Sequence, residues 1–119
     1  MNERSELGKI VISPTAIAAI AGQSVLECYG IVGMASRGRM GELSDAFHRE
    51  RTRKGVEVRV EGDRIAVDLY VIVEYGTRIS EVARAAMSRV KFDLERTLGV
   101  PVAAVNVHVQ GLRVSNGAP

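Results

Sequence analysis

The chain has 119 residues, of which 46% are hydrophobic and 25% are charged, the composition of a soluble globular protein with one hydrophobic core. Its 16 basic and 14 acidic residues leave a net charge of +2, which is too small an excess to indicate a nucleic-acid-binding protein by itself. Aromatic residues make up 4% and tryptophan is missing, which disfavours the aromatic platforms that stack bases. One cysteine cannot form an internal disulfide and no secretion signal is recognisable, so we expect a single cytoplasmic domain over residues 1–119.

The first quarter of the sequence predicts a short strand and then a buried helix. Residues 1–7 are polar and are expected to be loose, whereas residues 8–12 predict a strand. Ser13 and Pro14 predict a helix start, because serine can cap free amides and proline at the first helical position forfeits no hydrogen bond. The helix over residues 14–28 is apolar nearly all round, which indicates burial on several sides or an interface. Its unbroken part is too short to cross a bilayer.

A short strand at residues 31–34 leads into a segment of different character. Residues 36–54 predict a mobile excursion with a short amphipathic helix. The excursion ends in a basic cluster made of Arg49, Arg51, Arg53 and Lys54. Two interpretations stay open: a solvated loop, or a contact with the phosphates of nucleic acid or of lipid headgroups.

Residues 55–76 give the clearest pattern in the chain. Apolar and polar residues alternate over residues 56–60 and again over residues 65–73, which predicts two strands that each bury one face. Gly62 and Asp63 predict a tight hairpin turn between them, because glycine tolerates the positive φ that such turns need. Two antiparallel strands are therefore expected at the centre of the sheet.

A helix and a last strand follow this hairpin. Thr77 is the expected N-cap of a helix that Gly99 ends. The core stripe of this helix is predicted to consist of Ile79, Ala83, Ala86, Met87, Val90 and Leu94. The strand from Val102 to about Leu112 is then expected to pair in parallel with strand 65–73 through a right-handed crossover.

Together these elements predict an α+β fold. A mixed β-sheet is packed by two main helices in the order β-α-β-(short α)-β-β-α-β. The core covers about residues 8–112, and residues 113–119 form a tail. The sequence leaves the strand order open, because strands 8–12 and 31–34 can each join either edge.

The face of the sheet that points away from the helices is the candidate functional surface. It is predicted to carry Glu57, Arg59, Asp68, Tyr70, Ile72, Asn106, His108 and Gln110. Four of these, Asp68, Tyr70, Asn106 and His108, are expected to meet if their strands are neighbours. An enzyme site would start there, but a solvated sheet face is usually polar in this way and no nucleophile is near. We therefore interpret Tyr70, Ile72 and His108 as candidate contacts for a partner.

Other candidates for chemistry fail on their residue types. Residues 33–38 have the glycine spacing of a phosphate-binding loop but lack the following lysine and hydroxyl residue. Cys28 lies on an apolar helix, which raises the pKa of a thiol and makes it unreactive. His48 and His108 do not have the spacing of a zinc site. The sequence predicts no catalytic residue, no metal ligand and no cofactor.

Five segments together resemble a known family. They are Gly8–Ser13, Tyr29–Met34, Gly55–Val58, Val67–Gly76 and Val105–Leu112. Their order and spacing, over about residues 6–113, resemble the bacterial alkaline shock proteins, also called envelope stress response proteins. The resemblance implies a small, non-enzymatic α/β protein associated with envelope stress. It also implies no catalytic residues, since the family has none that are agreed.

The resemblance further implies possible partners. Some family members self-associate, and some are held at the membrane by a separate anchor protein. We therefore expect a scaffold or interaction protein, cytoplasmic or held at the membrane through a partner, that self-associates through the helix at residues 14–28 or through the sheet face. The long charged tail of some larger members is missing here. The alternative is a module that binds nucleic acid or an anionic surface through residues 49–54.

Overall fold

A computed structural model describes residues 2–35, 51–53 and 55–114. It has the predicted α+β architecture. Its elements are β1 (Asn2–Arg4), β2 (Lys9–Val11), α1 (Pro14–Leu26), β3 (Ile31–Met34), β4 (Arg51–Arg53), β5 (Val56–Glu61), β6 (Arg64–Glu74), α2 (Ile79–Leu98) and β7 (Val102–Arg113). The short helix predicted within residues 36–54 falls on residues outside the described part of the chain.

Strand β6 is the centre of a five-stranded mixed sheet. It pairs in parallel with β7 along residues 65–74, and antiparallel with both β5 and β3. Since β7 occupies one edge of β6 throughout, β3 and β5 share the other edge end to end. Tyr70 marks their junction: its carbonyl accepts from Ala35 N (2.9 Å) and its amide donates to the carbonyl of Gly55 (2.8 Å). Strand β4 adds to the free edge of β5.

The alternation in β6 produces the core, as predicted. Every second side chain of the strand is fully buried beneath the helices; these are Ile65, Val67, Leu69, Val71 and Val73. The matching stripe on α2 is formed by Val82, Ala86, Val90 and Leu94. Helix α1 buries Ile17, Ala21 and Val25 against this core. It contacts α2 as well as β3, β4 and β5, so the fold itself accounts for its apolar circumference.

The predicted helix cap at Ser13 and the predicted glycine turns at Gly62 and Gly99 are confirmed. Ser13 caps α1, since its hydroxyl accepts from Ala16 N at 3.1 Å. Gly62 takes φ 67° in the turn that joins β5 to β6, and Gly99 takes φ 76° at the end of α2. Both conformations favour glycine. Among the described residues, no helix combines the length and hydropathy needed to cross a bilayer.

The N-terminal residues were predicted wrongly. Residues 2–4 are not loose, because they form β1, which pairs antiparallel with Lys9–Val11. This hairpin is a separate two-stranded sheet. Strand β2 therefore joins neither edge of the main sheet. β1 is short and polar, and it is a strand because it pairs with β2. The periodicity of its own residues therefore could not indicate a strand there.

Helix α2 differs from the prediction at its start and on its flank. Thr77 does not cap it, because the threonine hydroxyl donates to the carbonyl of Glu74 (2.8 Å) and the helix begins after Arg78 without a side-chain cap. Ile79 and Met87 are each 39% exposed and lie outside the core. The buried positions recur every fourth residue, which turns the centre of the stripe away from Met87.

Candidate functional site

The face of the sheet opposite the helices carries a connected set of side chains, which we call the polar face. It consists of Arg59 on β5, Asp68, Tyr70 and Ile72 on β6, and Asn106 and His108 on β7. The parallel register places Asp68 beside Asn106 and Tyr70 beside His108. Side chains of a strand alternate between faces, so this register brings the set together.

Asp68 is the centre of the polar face and is only 8% exposed. One carboxylate oxygen accepts from Asn106 Nδ2 at 3.0 Å and from His108 Nε2 at 3.1 Å. The other accepts from Arg59, with Nε at 3.2 Å and a terminal nitrogen at 3.0 Å. These four contacts use the acceptor capacity of an ionised carboxylate in full.

The hydrogen bonds around Asp68 determine its charge. Burial is the largest single influence on its pKa and would raise it, but the hydrogen bonds from His108, Asn106 and Arg59 together outweigh burial and hold the pKa below its ordinary value. The same contact raises the pKa of Arg59, chiefly through its hydrogen bond to Asp68. Because an ionised carboxylate only accepts, His108 must carry a proton on Nε2 to make its bond.

An aromatic platform lies next to the carboxylate. The rings of Tyr70 and His108 stack with centroids 4.4 Å apart and planes 10° from parallel. Ile72, one position further along the same face of β6, is half-buried. Arg59 also reaches Glu61 at 3.2 Å on the strand's exposed end. Each ring and charged group is thereby held by a neighbour, which gives the polar face a fixed shape.

The predicted meeting of Asp68, Tyr70, Asn106 and His108 is confirmed. Sequence reasoning placed Arg59 on the same face but missed its bond to Asp68. The hairpin turn could have predicted this bond. The turn pairs Glu61 with Arg64, which places Arg59 opposite Ala66 and therefore diagonal to Asp68. Long side chains reach diagonal neighbours across antiparallel strands.

The arrangement can do little acid–base chemistry but can present a surface. A general base needs a free lone pair within reach of a substrate, and Asp68 has its lone pairs occupied. Within the described residues, no group of three histidine, cysteine, aspartate or glutamate side chains could hold a metal ion. Half-exposed histidine and arginine side chains around a buried anchor suit contact with a macromolecule.

A second polar cluster joins the two helices. Buried Ser24 donates to Asp93 at 2.6 Å, and Arg89 bridges Asp93 (3.1 Å) and Glu27 (2.8 Å). The bond from Ser24 is the main cause that lowers the pKa of Asp93. Burial raises the pKa of the neighbouring Cys28 thiol, as its sequence position indicated. These contacts clamp α1 to α2, so we assign the cluster a structural role.

The basic cluster is only partly described. Arg51 and Arg53 lie in β4, the strand at the sheet edge next to β5, and not in the mobile loop that the sequence predicted. Arg49 and Lys54 lie outside the described residues. Binding of nucleic acid or of an anionic surface through these residues stays a prediction.

Comparison with known proteins gives close relatives. The chain is 46% identical over 114 residues to YloU of Bacillus subtilis (strain 168), covering 95% of each chain. It is 40% identical over 108 residues to Spy1614 of Streptococcus pyogenes serotype M6, covering 90% of this chain and 89% of that protein. A stress response regulator gls24 homolog of Streptococcus pyogenes serotype M3 is 27% identical over 107 residues, covering 89% of this chain and 59% of that protein.

A solved structure and a family profile complete the comparison. A variant of MamM CTD matches with a TM-score of 0.51 at 12% identity, covering 81% of this chain and 94% of that one. At this identity the likeness concerns the fold alone. The profile of the alkaline shock protein 23 family, described as having a cell envelope-related function, matches residues 2–114. The chain therefore belongs to the alkaline shock protein 23 family.

Proposed function

We propose that this protein is a non-enzymatic interaction domain that serves the cell envelope, self-associates, and uses its polar face to contact a partner protein. Membership of a family with a cell envelope-related function supports the setting. The name of the gls24 homolog, a stress response regulator, supports a link to stress. We place the domain in the cytoplasm, where a membrane-bound partner can hold it.

The observation that carries the proposal is the saturated carboxylate of Asp68. Its four hydrogen bonds fix Arg59, Asn106 and His108 in place, and His108 in turn supports the ring of Tyr70. A surface that is rigid before binding loses little side-chain entropy when a partner arrives. Tyrosine and arginine are also among the residue types enriched at the energetic hot spots of protein interfaces. The same saturation supports a role without catalysis, since the carboxylate is not available as a base.

Affinity capture from the native cytoplasm and from solubilised membranes tests the proposal. The wild-type domain is compared with a double variant, Tyr70→Ser with Ile72→Ser, which removes apolar contact area from the polar face. The matched control, Arg84→Ser with Phe92→Ser, changes two exposed residues of α2 on the opposite side of the sheet. Circular dichroism checks that both variants fold.

We expect the wild type and the control to capture the same protein from the membrane fraction, and the polar-face variant to lose it. Capture of an identical set by all three proteins would show that the polar face is not the contact surface. A wild type that captures nothing beyond the tag alone would overturn the interaction role itself.

A further inference from the structure

Strand β7 has a long outer edge that is not protected by charged residues. It is 12 residues long and pairs with β6, and among the described residues no strand lies against its other side. Only its last residue, Arg113, is charged, and it contains no proline or lysine. Natural proteins usually protect such edges with charges, proline or a covering element, because unpaired amides and carbonyls recruit another strand. The strand at the far edge of the sheet, β4, has two arginines in its sequence of three residues.

The sequence of β7 is complementary to itself. Residues 105–109 read Val-Asn-Val-His-Val, which is nearly the same in both directions about Val107. In an antiparallel pair with a two-fold axis at Val107, Val105 lies opposite Val109 of the second copy and Asn106 lies opposite His108. The valines then form one apolar row on the helix side, and no like charges face each other.

Two irregularities in the pairing of β7 with β6 limit the length of the self-complementary segment. The register of β7 on β6 shifts between Ile65 and Ala66 and again between Val71 and Ile72. The stretch of β7 between these shifts, residues 104–109, is regular and is centred close to Val107. Bulges terminate pairing, so they limit slippage of an added strand.

Exposed apolar side chains border the same edge. Val109 is 36% exposed and Leu112 is 47% exposed, although both lie in a strand. Met87 of α2, 39% exposed, lines a groove of about 340 Å³ with Lys91 against Val105. A second copy paired at this edge would cover apolar surface at the groove, including Met87.

We infer that a second copy of this chain pairs with β7 antiparallel about Val107 and joins two five-stranded sheets into one. The inference rests on the self-association included in the proposed function and specifies its surface. The contact is isologous, so it closes as a dimer and places the polar faces of both copies side by side on one surface of the joined sheet.

Light scattering after size exclusion gives the first test. We expect a dimer for the wild type, a dimer for the isosteric control Val109→Thr, and a monomer for Val109→Lys, because lysine on an edge strand opposes pairing. If Val109→Lys stays dimeric, self-association stands and the β7 interface is overturned. A wild type that is monomeric at high concentration removes self-association and this interface together, while capture of a membrane partner would still support the rest of the proposed function.

Cysteine cross-linking tests the register in the Cys28→Ala background. Val107→Cys places two thiols opposite each other at the axis and should give a covalent dimer on mild oxidation. Leu112→Cys is the matched control: it lies on the same strand and is the more exposed position, yet in this register the two copies of residue 112 are about 34 Å apart. Equal cross-linking of both variants, or none at position 107, would overturn the proposed register.

Discussion

Replacement of Asp68 by asparagine isolates the role of the central carboxylate. The change keeps the size of the side chain and removes its charge and one of its two acceptor atoms. Arg59 loses a charge-assisted contact at 3.0 Å, and its side chain, 43% exposed, turns to solvent. Hydrogen bonds to charged groups contribute about 1.5–3 kcal/mol, so we expect a loss of about 2 kcal/mol in the free energy of unfolding at pH 7. For a chain of this size that corresponds to about 8 °C in Tm.

The assay is denaturant unfolding of the wild type and Asp68→Asn between pH 7 and pH 3. The folded pKa of Asp68 is lowered, so its contribution is complete above the unfolded value of about 3.9 and is lost as pH falls through the folded value. The difference between the two proteins should therefore be constant near neutrality and shrink below about pH 4. Glu61→Gln is the matched control, since it removes the charge from an exposed contact to the same Arg59 and should cost less than about 0.5 kcal/mol.

Two results would refute this reasoning. Equal stability of Asp68→Asn and the wild type at pH 7 would mean that the cost of burying the charge cancels its hydrogen bonds. A difference that persists unchanged at pH 3 would mean that the asparagine acts through packing rather than through charge.

Two further predictions concern the backbone and the basic cluster. Gly30→Ala should lower the free energy of unfolding by about 2–3 kcal/mol, because φ is +88° and the added Cβ would lie 2.8 Å from Val82. Gly62→Ala, at φ +67° in open space, should lower it by about 1 kcal/mol. Equal losses in urea unfolding would contradict a steric clash between the new Cβ and Val82. Arg51→Glu with Arg53→Glu should reduce binding to anionic vesicles and RNA at low salt if residues 49–54 bind phosphate, and unchanged binding in a sedimentation assay would exclude that function.

The sequence predicted those parts of the fold whose side chains repeat with a clear period. The alternation in Val56–Glu61 and Arg64–Glu74 identified both strands, because one face of each is buried. Asn2–Arg4 carries no such pattern, and its strand depends on a partner outside it. Thr77 satisfies the residue preference of a cap, but its hydroxyl donates to the carbonyl of Glu74 and the helix has no side-chain cap. Propensity alone does not distinguish these two bonds.

The candidate site was predicted in its membership but not in its contacts. Strand alternation put Asp68, Tyr70, Asn106 and His108 on one face, and the parallel crossover placed their strands side by side. Which group would bond to Asp68 depended on the register of three strands at once. That register is set by the turn at Gly62 for one neighbour and by the crossover helix for the other. A single helical turn more or less in the crossover would shift the second register.

The end-to-end arrangement of β3 and β5 on one edge of β6 has a consequence for chain length. Ala35 and Gly55 lie in direct contact, since a Cβ added to Gly55 would come 3.0 Å from the carbonyl oxygen of Ala35. Both residues are fixed by backbone hydrogen bonds to Tyr70. A connection whose two ends are already pinned adds entropy cost only as the logarithm of its length, about 0.6 kcal/mol per doubling. The part of this connection between Ala35 and β4 is therefore the place where the domain can gain or lose residues during evolution, while β4 keeps its pairing with β5 and the sheet stays as it is.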